Sequence, residues 1–234
     1  MRLFFAEHIE MPNFVFNQDE SKHISKVLRL KTGDKILLTD GKGCFYEAEI
    51  SESSPKQCKV EIFKKTKASK HDYYLHIAIA PTKNNDRFEW FLEKATEIGI
   101  DEITPLLCKN SERKKIKYER LKKVVEAAMK QSYKAHHPIL NDLTSFDDLI
   151  NQDRFYDHQL IAHCYDKDKR TLKTELNKKQ SALIIIGPEG DFTLEEVEKA
   201  NLKNIKPLSL GDYRLRTETA GIAAVQSVAF LNME

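Results

Sequence analysis

Late in the chain, two short segments bring glycine together with ionisable side chains. The first is Gly187-Pro188-Glu189-Gly190-Asp191-Phe192, which follows the apolar run 182–186 and precedes Thr193, an N-cap residue with Glu195 and Glu196 in the turn behind it. The second runs Leu210-Gly211-Asp212-Tyr213-Arg214-Leu215-Arg216-Thr217-Glu218-Thr219-Ala220. A strand, a glycine turn and a helix start form the usual ligand-bearing edge of an open α/β sheet. Glycine matters there because backbone can approach a ligand without a Cβ between them. The first turn has neither the GxGxxG spacing of a dinucleotide site nor the GxxxxGK[ST] of a phosphate loop. Its own carboxylates, Glu189 and Asp191, disfavour a polyphosphate and suit a ribose or a cation. On these residues alone the turn is either a binding edge or a plain connection.

A second chemical feature is cationic. The chain as a whole is nearly balanced, with 38 Lys and Arg against 36 Asp and Glu. The stretch 109–137 is not: ten Lys and Arg face only Glu112, Glu119 and Glu126. Such density suits phosphate contacts, and equally suits a solvated helix face. The four cysteines, Cys44, Cys58, Cys108 and Cys164, have neither zinc-knuckle nor CxxC spacing. No metal site and no disulfide framework is expected. No apolar run approaches the roughly 18 residues of a membrane span, so the expected setting is cytoplasmic, without membrane contact.

Two blocks must position these residues. In the first, strands at 35–39 and 44–50 flank the turn Asp40-Gly41-Lys42-Gly43, and 59–63 alternates as a further strand. A helix over 19–28 places Ile24, Val27 and Leu28 on one face. Short strands with tight turns predict a small barrel, and the polar run 64–70 reads as a linker. In the second block, strands at 74–80, 102–107, 159–164 and 182–186 alternate with helices at 85–98 and 116–134 and with further helical stretches. That rhythm predicts an α/β domain with a largely parallel sheet. The last helix, from Ala220, is apolar nearly all round, which fits either burial within the subunit or a homodimer contact.

Taken together, Gly187-Pro188-Glu189-Gly190 and Leu210-Gly211 followed by Leu215-Arg216-Thr217-Glu218-Thr219-Ala220 resemble the RsmE-type methyltransferases of the SPOUT superfamily. Arg2-Leu3-Phe4-Phe5, His23…Val27-Leu28-Arg29, Lys94-Ala95-Thr96-Glu97-Ile98-Gly99 and Glu126-Ala127-Ala128…Gln131-Ser132 extend the resemblance over the whole chain. Three positions depart from the pattern: Asp191 where the family often has glycine, Lys134 where it often has arginine, and Asn110-Ser111 where it usually has Arg-Ser. The resemblance implies a PUA-like, RNA-binding β-barrel over 1–70 and a SPOUT domain over 71–234, with a deep trefoil knot in its mostly parallel sheet. It also implies a homodimer and methylation of uridine N3 in 16S ribosomal RNA of the small subunit, with S-adenosyl-L-methionine (SAM) as donor.

For the site, the resemblance places Gly187, Glu189, Gly190, Leu208, Leu210, Gly211, Leu215, Thr217 and Ala220 around the cofactor. The imide proton of uridine must leave before N3 can attack. A carboxylate, Glu189 or Glu218, is expected to take it, and Arg216 to stabilise the charge that develops. Glu189 can instead hold the ribose, and Glu218 can simply match a helix dipole. RNA contacts are expected from Arg2, His23, Lys26 and Arg29, from Arg113, Lys114, Lys115 and Lys117, and from Lys134. Two other readings stay open: an enzyme of the same superfamily with another RNA target, and a ribosome-assembly factor with a vestigial pocket.

Overall fold

A computed structural model describes residues 1–165 and 169–233. They form two compact units, one of residues 1–70 with 129–137, the other of residues 71–128 with 138–234.

The first unit contains β1 (Leu3–Phe5), β2 (Asn13–Val15), α1 (Gln18–Lys22), β3 (Lys35–Thr39), β4 (Cys44–Ser53) and β5 (Cys58–Lys67). They build one mixed sheet in the order β1-β3-β4-β5-β2, with β1 parallel to β3 and the other pairs antiparallel. Phe4, Ile24, Ile36, Leu38, Ala48, Ile50, Val60 and Ile62 fill its core. Two expectations need correction. Residues 64–67 are strand, not linker: they pair with residues 44–47, and Lys64 Nζ reaches Glu47 Oε1 at 2.6 Å. Backbone pairing holds them, which a search for apolar alternation cannot see. The helix over 19–28 turns π-helical at His23–Val27. The wider turn breaks the expected stripe: Ile24 is fully buried, whereas Val27 is 66% exposed.

The second unit runs β6 (Tyr74–Ile79), α2 (Asn85–Ile98), β7 (Glu102–Leu107), α3 (Tyr118–Gln131), β8 (Ile139–Leu140), β9 (Thr144–Ser145), α4 (Phe146–Ile150), β10 (His158–Ala162), β11 (Arg170–Thr171), α5 (Leu172–Glu175), β12 (Ser181–Ile186), α6 (Leu194–Leu202), β13 (Lys206–Ser209) and α7 (Thr217–Asn232). The sheet is parallel throughout, ordered β11-β13-β10-β12-β6-β7-β8, with β9 also on β7. Both faces are covered, so the strands read as continuous apolar runs. Ile77, Ile79, Ile184 and Ile186 pack with α2, α3 and α7; Ala78, Ala80, Leu183 and Ile185 pack with α4 and α6. The last helix exposes one side: Gly221, Ala224, Val225 and Val228 are buried, while Gln226, Ser227 and Phe230 face outward. α3 is shorter than the expected 116–134. Tyr133 turns left-handed (φ 53°), and the amides of Tyr133 and Lys134 bond back to the carbonyls of Lys130 and Met129, a Schellman stop.

A buried polar network joins β6 and β7. Arg154 donates to both Glu102 carboxylate oxygens at 2.6 Å, with Tyr74 Oη and Asn141 Nδ2 each 2.6 Å from one of them. Burial works against the Glu102 charge, yet these donors overcome it and hold the carboxyl down at about 2. His76 sits between Tyr156 Oη (2.8 Å) and Thr104 Oγ1 (2.7 Å), and burial lowers its pKa to about 4.

Candidate functional site

The carboxyl ends of β10, β12 and β13 open into a cavity of about 710 Å³. β12 runs into the 187–192 turn, which the Asp191 amide closes onto the Pro188 carbonyl at 2.9 Å. Thr193 then caps α6 in a reciprocal box: its Oγ1 accepts from the Glu196 amide, and Glu196 Oε2 accepts from the Thr193 amide. β13 leads through 210–216 into α7, and Thr217 Oγ1 donates to the Gly187 carbonyl at 3.1 Å, tying the two loops together.

Nine of the expected residues line this cavity: Gly187, Glu189, Leu208, Leu210, Gly211, Leu215, Arg216, Thr217 and Ala220. Glu189 is half-buried and oriented, with Oε1 accepting the Lys83 amide at 3.0 Å and its carbonyl accepting from Arg214. Two expected residues lie elsewhere. Glu218 is not in the lining; its buried carboxylate lies 3.8 Å from Arg87 Nε on α2, and its Oε2 has no hydrogen-bond partner among the described residues. Gly190 is not in the lining either, and a Cβ there would meet Asn110 Cβ at 3.3 Å. At Gly187 the close neighbour of an added Cβ is the Phe192 ring, at 2.9 Å. Protein groups stand beside these two glycines; Gly211 has a left-handed φ of 131° and open space on its Cβ side.

The cavity also holds residues not singled out for it, His163, Cys164 and Lys169 after β10 and Asp212, Tyr213 and Arg214 before α7, together with Asp191, the second carboxylate of the glycine turn. The available signal was positional, since the loop after β10 leaves the same sheet edge as the glycine turn.

The cationic stretch divides. Arg113 Nε donates to the Thr82 carbonyl at 2.9 Å, and its Nη2 to the Lys83 carbonyl. Lys83 in turn fixes Glu189, and Asn110 Nδ2 donates to the carbonyls of Gly190 and Asp191. Residues 110–113 therefore brace the glycine turn, and the Arg113 guanidinium is committed to protein carbonyls. Lys114, Lys115 and Lys117 are exposed. In the first unit Arg2, His23, Lys26 and Arg29 are exposed and Lys134 is half-buried. Among the described residues no group of three or more His, Cys, Asp or Glu could hold a metal ion, and no helix is long and apolar enough to cross a membrane.

A family model of an RNA methyltransferase domain matches residues 69–229, and one of an RNA methyltransferase PUA domain matches residues 16–63. The chain belongs to the RNA methyltransferase family. Ribosomal RNA small subunit methyltransferase E of Rickettsia conorii is 31% identical, over 89% of this chain and 86% of that protein. Its counterpart in Bacillus subtilis is 28% identical, over 94% and 91%. Among solved structures, a probable rRNA-methyltransferase from Porphyromonas gingivalis is 40% identical with a TM-score of 0.92, covering 99% of this chain and 98% of that one. A Legionella pneumophila protein solved with SAM bound is 25% identical, with a TM-score of 0.89, over 98% and 97%.

The methyltransferase cavity fits that cofactor on its own chemistry. A purine needs apolar flanks, which Ile186, Leu208, Leu210 and Leu215 supply. Ribose hydroxyls and a cationic sulfonium need acceptors, which Ser209, Glu189, Asp191 and Asp212 supply. Its volume lies in the range of small-molecule sites, about 300–1,000 Å³.

Proposed function

We propose that this protein methylates N3 of a uridine in 16S ribosomal RNA of the small subunit, using SAM. The observation that carries the reading is the cavity at the carboxyl ends of β10, β12 and β13, where glycine, apolar and carboxylate groups converge in a chain of the RNA methyltransferase family. Leu208, Leu210 and Leu215 would flank the adenine, and Gly211, Thr217 and Ala220 would leave room for the rest. When bound, SAM supplies an electrophilic methyl group.

The protein's own part is control of a proton and a charge. A neutral uridine imide is a poor nucleophile, so N3 must lose its proton as it attacks. Glu189 is the proposed acceptor: the Lys83 amide fixes Oε1 and leaves Oε2 to take the proton. Negative charge then spreads onto O2 and O4 of the base, where the Arg216 guanidinium, at the cavity wall, would stabilise it. Glu218 keeps a structural role, facing Arg87.

RNA is proposed to meet Arg2, His23, Lys26 and Arg29 of a PUA-like barrel over 1–70, and Lys114, Lys115, Lys117 and Lys134 of the SPOUT domain over 71–234. The target base would leave its stack to reach the cavity. A trefoil knot through the parallel sheet belongs to this reading. So does a homodimer, supported by exposed Trp90 on α2 and Phe230 on α7. The deciding test compares modified nucleosides in 16S ribosomal RNA from cells with and without the protein. Loss of N3-methyluridine on deletion is expected, and its persistence would refute the assignment. Calorimetry with SAM separates the enzyme from a binding protein with a vestigial pocket, for which millimolar SAM would give no heat.

A further inference from the structure

One side chain in the cavity wall does more than line it. Asp191 stands where the sequences this chain resembles often carry glycine, and it keeps the left-handed conformation (φ 62°) that glycine adopts at no cost. Its carboxylate spans two loops. Oδ1 accepts the Phe192 amide at 2.8 Å and Oδ2 accepts the Cys164 amide at 2.8 Å. A second tie runs beside it, from Tyr165 Oη to the Phe192 carbonyl at 2.7 Å. Cys164 and Asp191 both line the cavity, yet they follow different strands, β10 and β12, and are 27 residues apart. The backbone of Asp191 is held as well: its amide bonds the Pro188 carbonyl, and its carbonyl accepts from Asn110. Glycine would have the same backbone and no means of reaching Cys164.

We propose that Asp191 is a positioning residue, a carboxylate clip that joins the loop after β10 to the glycine turn and so preorganises one wall of the SAM cavity. Ionised carboxylate accepting backbone amides is among the stronger hydrogen-bonding arrangements, and it fixes direction as well as distance. With the clip in place the free protein already holds the binding-competent wall. Without it the competent wall is only part of the population, and apparent affinity falls by that fraction. A family member with glycine here must hold the loop after β10 by other means. This proposal rests on the reading of the cavity as a cofactor site.

The test uses the full chain and the variants Asp191→Gly and Asp191→Asn. Hydrogen exchange of the Cys164 amide, in protein without cofactor, reads the clip directly. It is expected to speed up about tenfold or more in Asp191→Gly. SAM affinity by calorimetry is expected to weaken about tenfold in Asp191→Gly, a competent fraction near one in ten. Asp191→Asn, which keeps one acceptor oxygen, should fall between wild type and glycine. In turnover assays KM for SAM should rise by a larger factor than kcat falls. Unchanged Cys164 exchange in Asp191→Gly would overturn the clip. Faster exchange with unchanged SAM affinity, or a loss of melting temperature alone, would overturn its bearing on the site. Wild-type protein that binds no SAM would instead refute the cofactor reading and the affinity half of the proposal, while the exchange measurement still decides the clip.

Discussion

The buried His76 makes a quantitative prediction about acid. Its ring lies between Tyr156 and Thr104, and burial favours the neutral form, moving its pKa from 6.5 to about 4. In the unfolded chain His76 takes up a proton below 6.5; in the fold it resists until about 4. The unfolded state therefore binds more protons across that window, and stability falls as pH falls through it. Between pH 8 and pH 5 the loss from this one residue works out at about 2 kcal/mol, at about 1.4 kcal/mol for each pH step below 6.5. The Glu102 carboxylate, 3.8 Å from His76 Nε2, partly offsets the effect of burial and stays ionised across that window. Its stabilising contribution is present above 4.5 and is lost only as pH falls towards 2. In His76→Gln the titration is gone. The variant starts lower at pH 8, by about 1–3 kcal/mol for disrupted buried hydrogen bonds, and its deficit should shrink by about 2 kcal/mol at pH 5. Urea unfolding reads this through the single tryptophan, Trp90, which sits on α2 in the second unit. Stability curves for wild type and variant that run parallel from pH 8 to pH 5 would refute the argument. SAM affinity at pH 8 should not follow the substitution, because the cavity is built from the opposite, carboxyl ends of the strands.

Arg216→Ala should lower kcat about 100- to 1,000-fold, the usual cost of losing one charge-stabilising group, with an unchanged far-UV spectrum; a near-normal rate would remove Arg216 from the chemistry. Gly221→Ala gains about 1 kcal/mol of helix propensity but puts a Cβ 2.6 Å from the Phe91 ring and 2.8 Å from Ile79 Cδ1. Overpacking of about 1–3 kcal/mol should win, so a thermal melt should show destabilisation, and a stabilised variant would contradict the α2–α7 packing. Arg113→Lys keeps the charge but loses the planar fork that reaches two carbonyls. Turnover should fall while the salt dependence of RNA binding stays as in wild type, and a shallower salt slope would return Arg113 to the RNA surface. RNA affinity of the wild-type protein should drop steeply with added salt; a flat profile in a filter-binding titration would discount the lysines.

Features that depend on local chemistry could be read from the sequence. The Thr193 cap, the α2 helix and the runs at 74–80 and 182–186 follow from side chains that act on their own neighbours. The parallel sheet followed from runs apolar on both faces. What escaped were features set by partners far away in the chain. Residues 64–67 are strand only because residues 44–47 lie beside them. Glu218, like Glu189 a carboxylate in a motif, has Arg87 of α2 3.8 Å away, a neighbour the sequence does not show. Beside Gly190 stands Asn110, whose Cβ would be 3.3 Å from an added Cβ. Cys164 and His163 carried no motif, and only the sheet edge brings them to the cavity.

Charge counting left two readings open. Across 109–137 every cation counted alike, and the sum suited phosphate contacts and a solvated helix face equally. Geometry separates them by what each side chain can do. A guanidinium can satisfy two carbonyls from one plane, and Arg113 does so at Thr82 and Lys83. An ammonium has no such fork, and Lys114, Lys115 and Lys117 stay in solvent. The effect reaches the site through one further bond, from the Lys83 amide to Glu189. Asn110 and Asp191 hold the same turn from its other side, one by an amide on two carbonyls, the other by a carboxylate on two amides. A short glycine turn with few side chains of its own can hold a carboxylate in one orientation only if other segments supply the constraints. The segments that do so here are the loops after β6, β7 and β10.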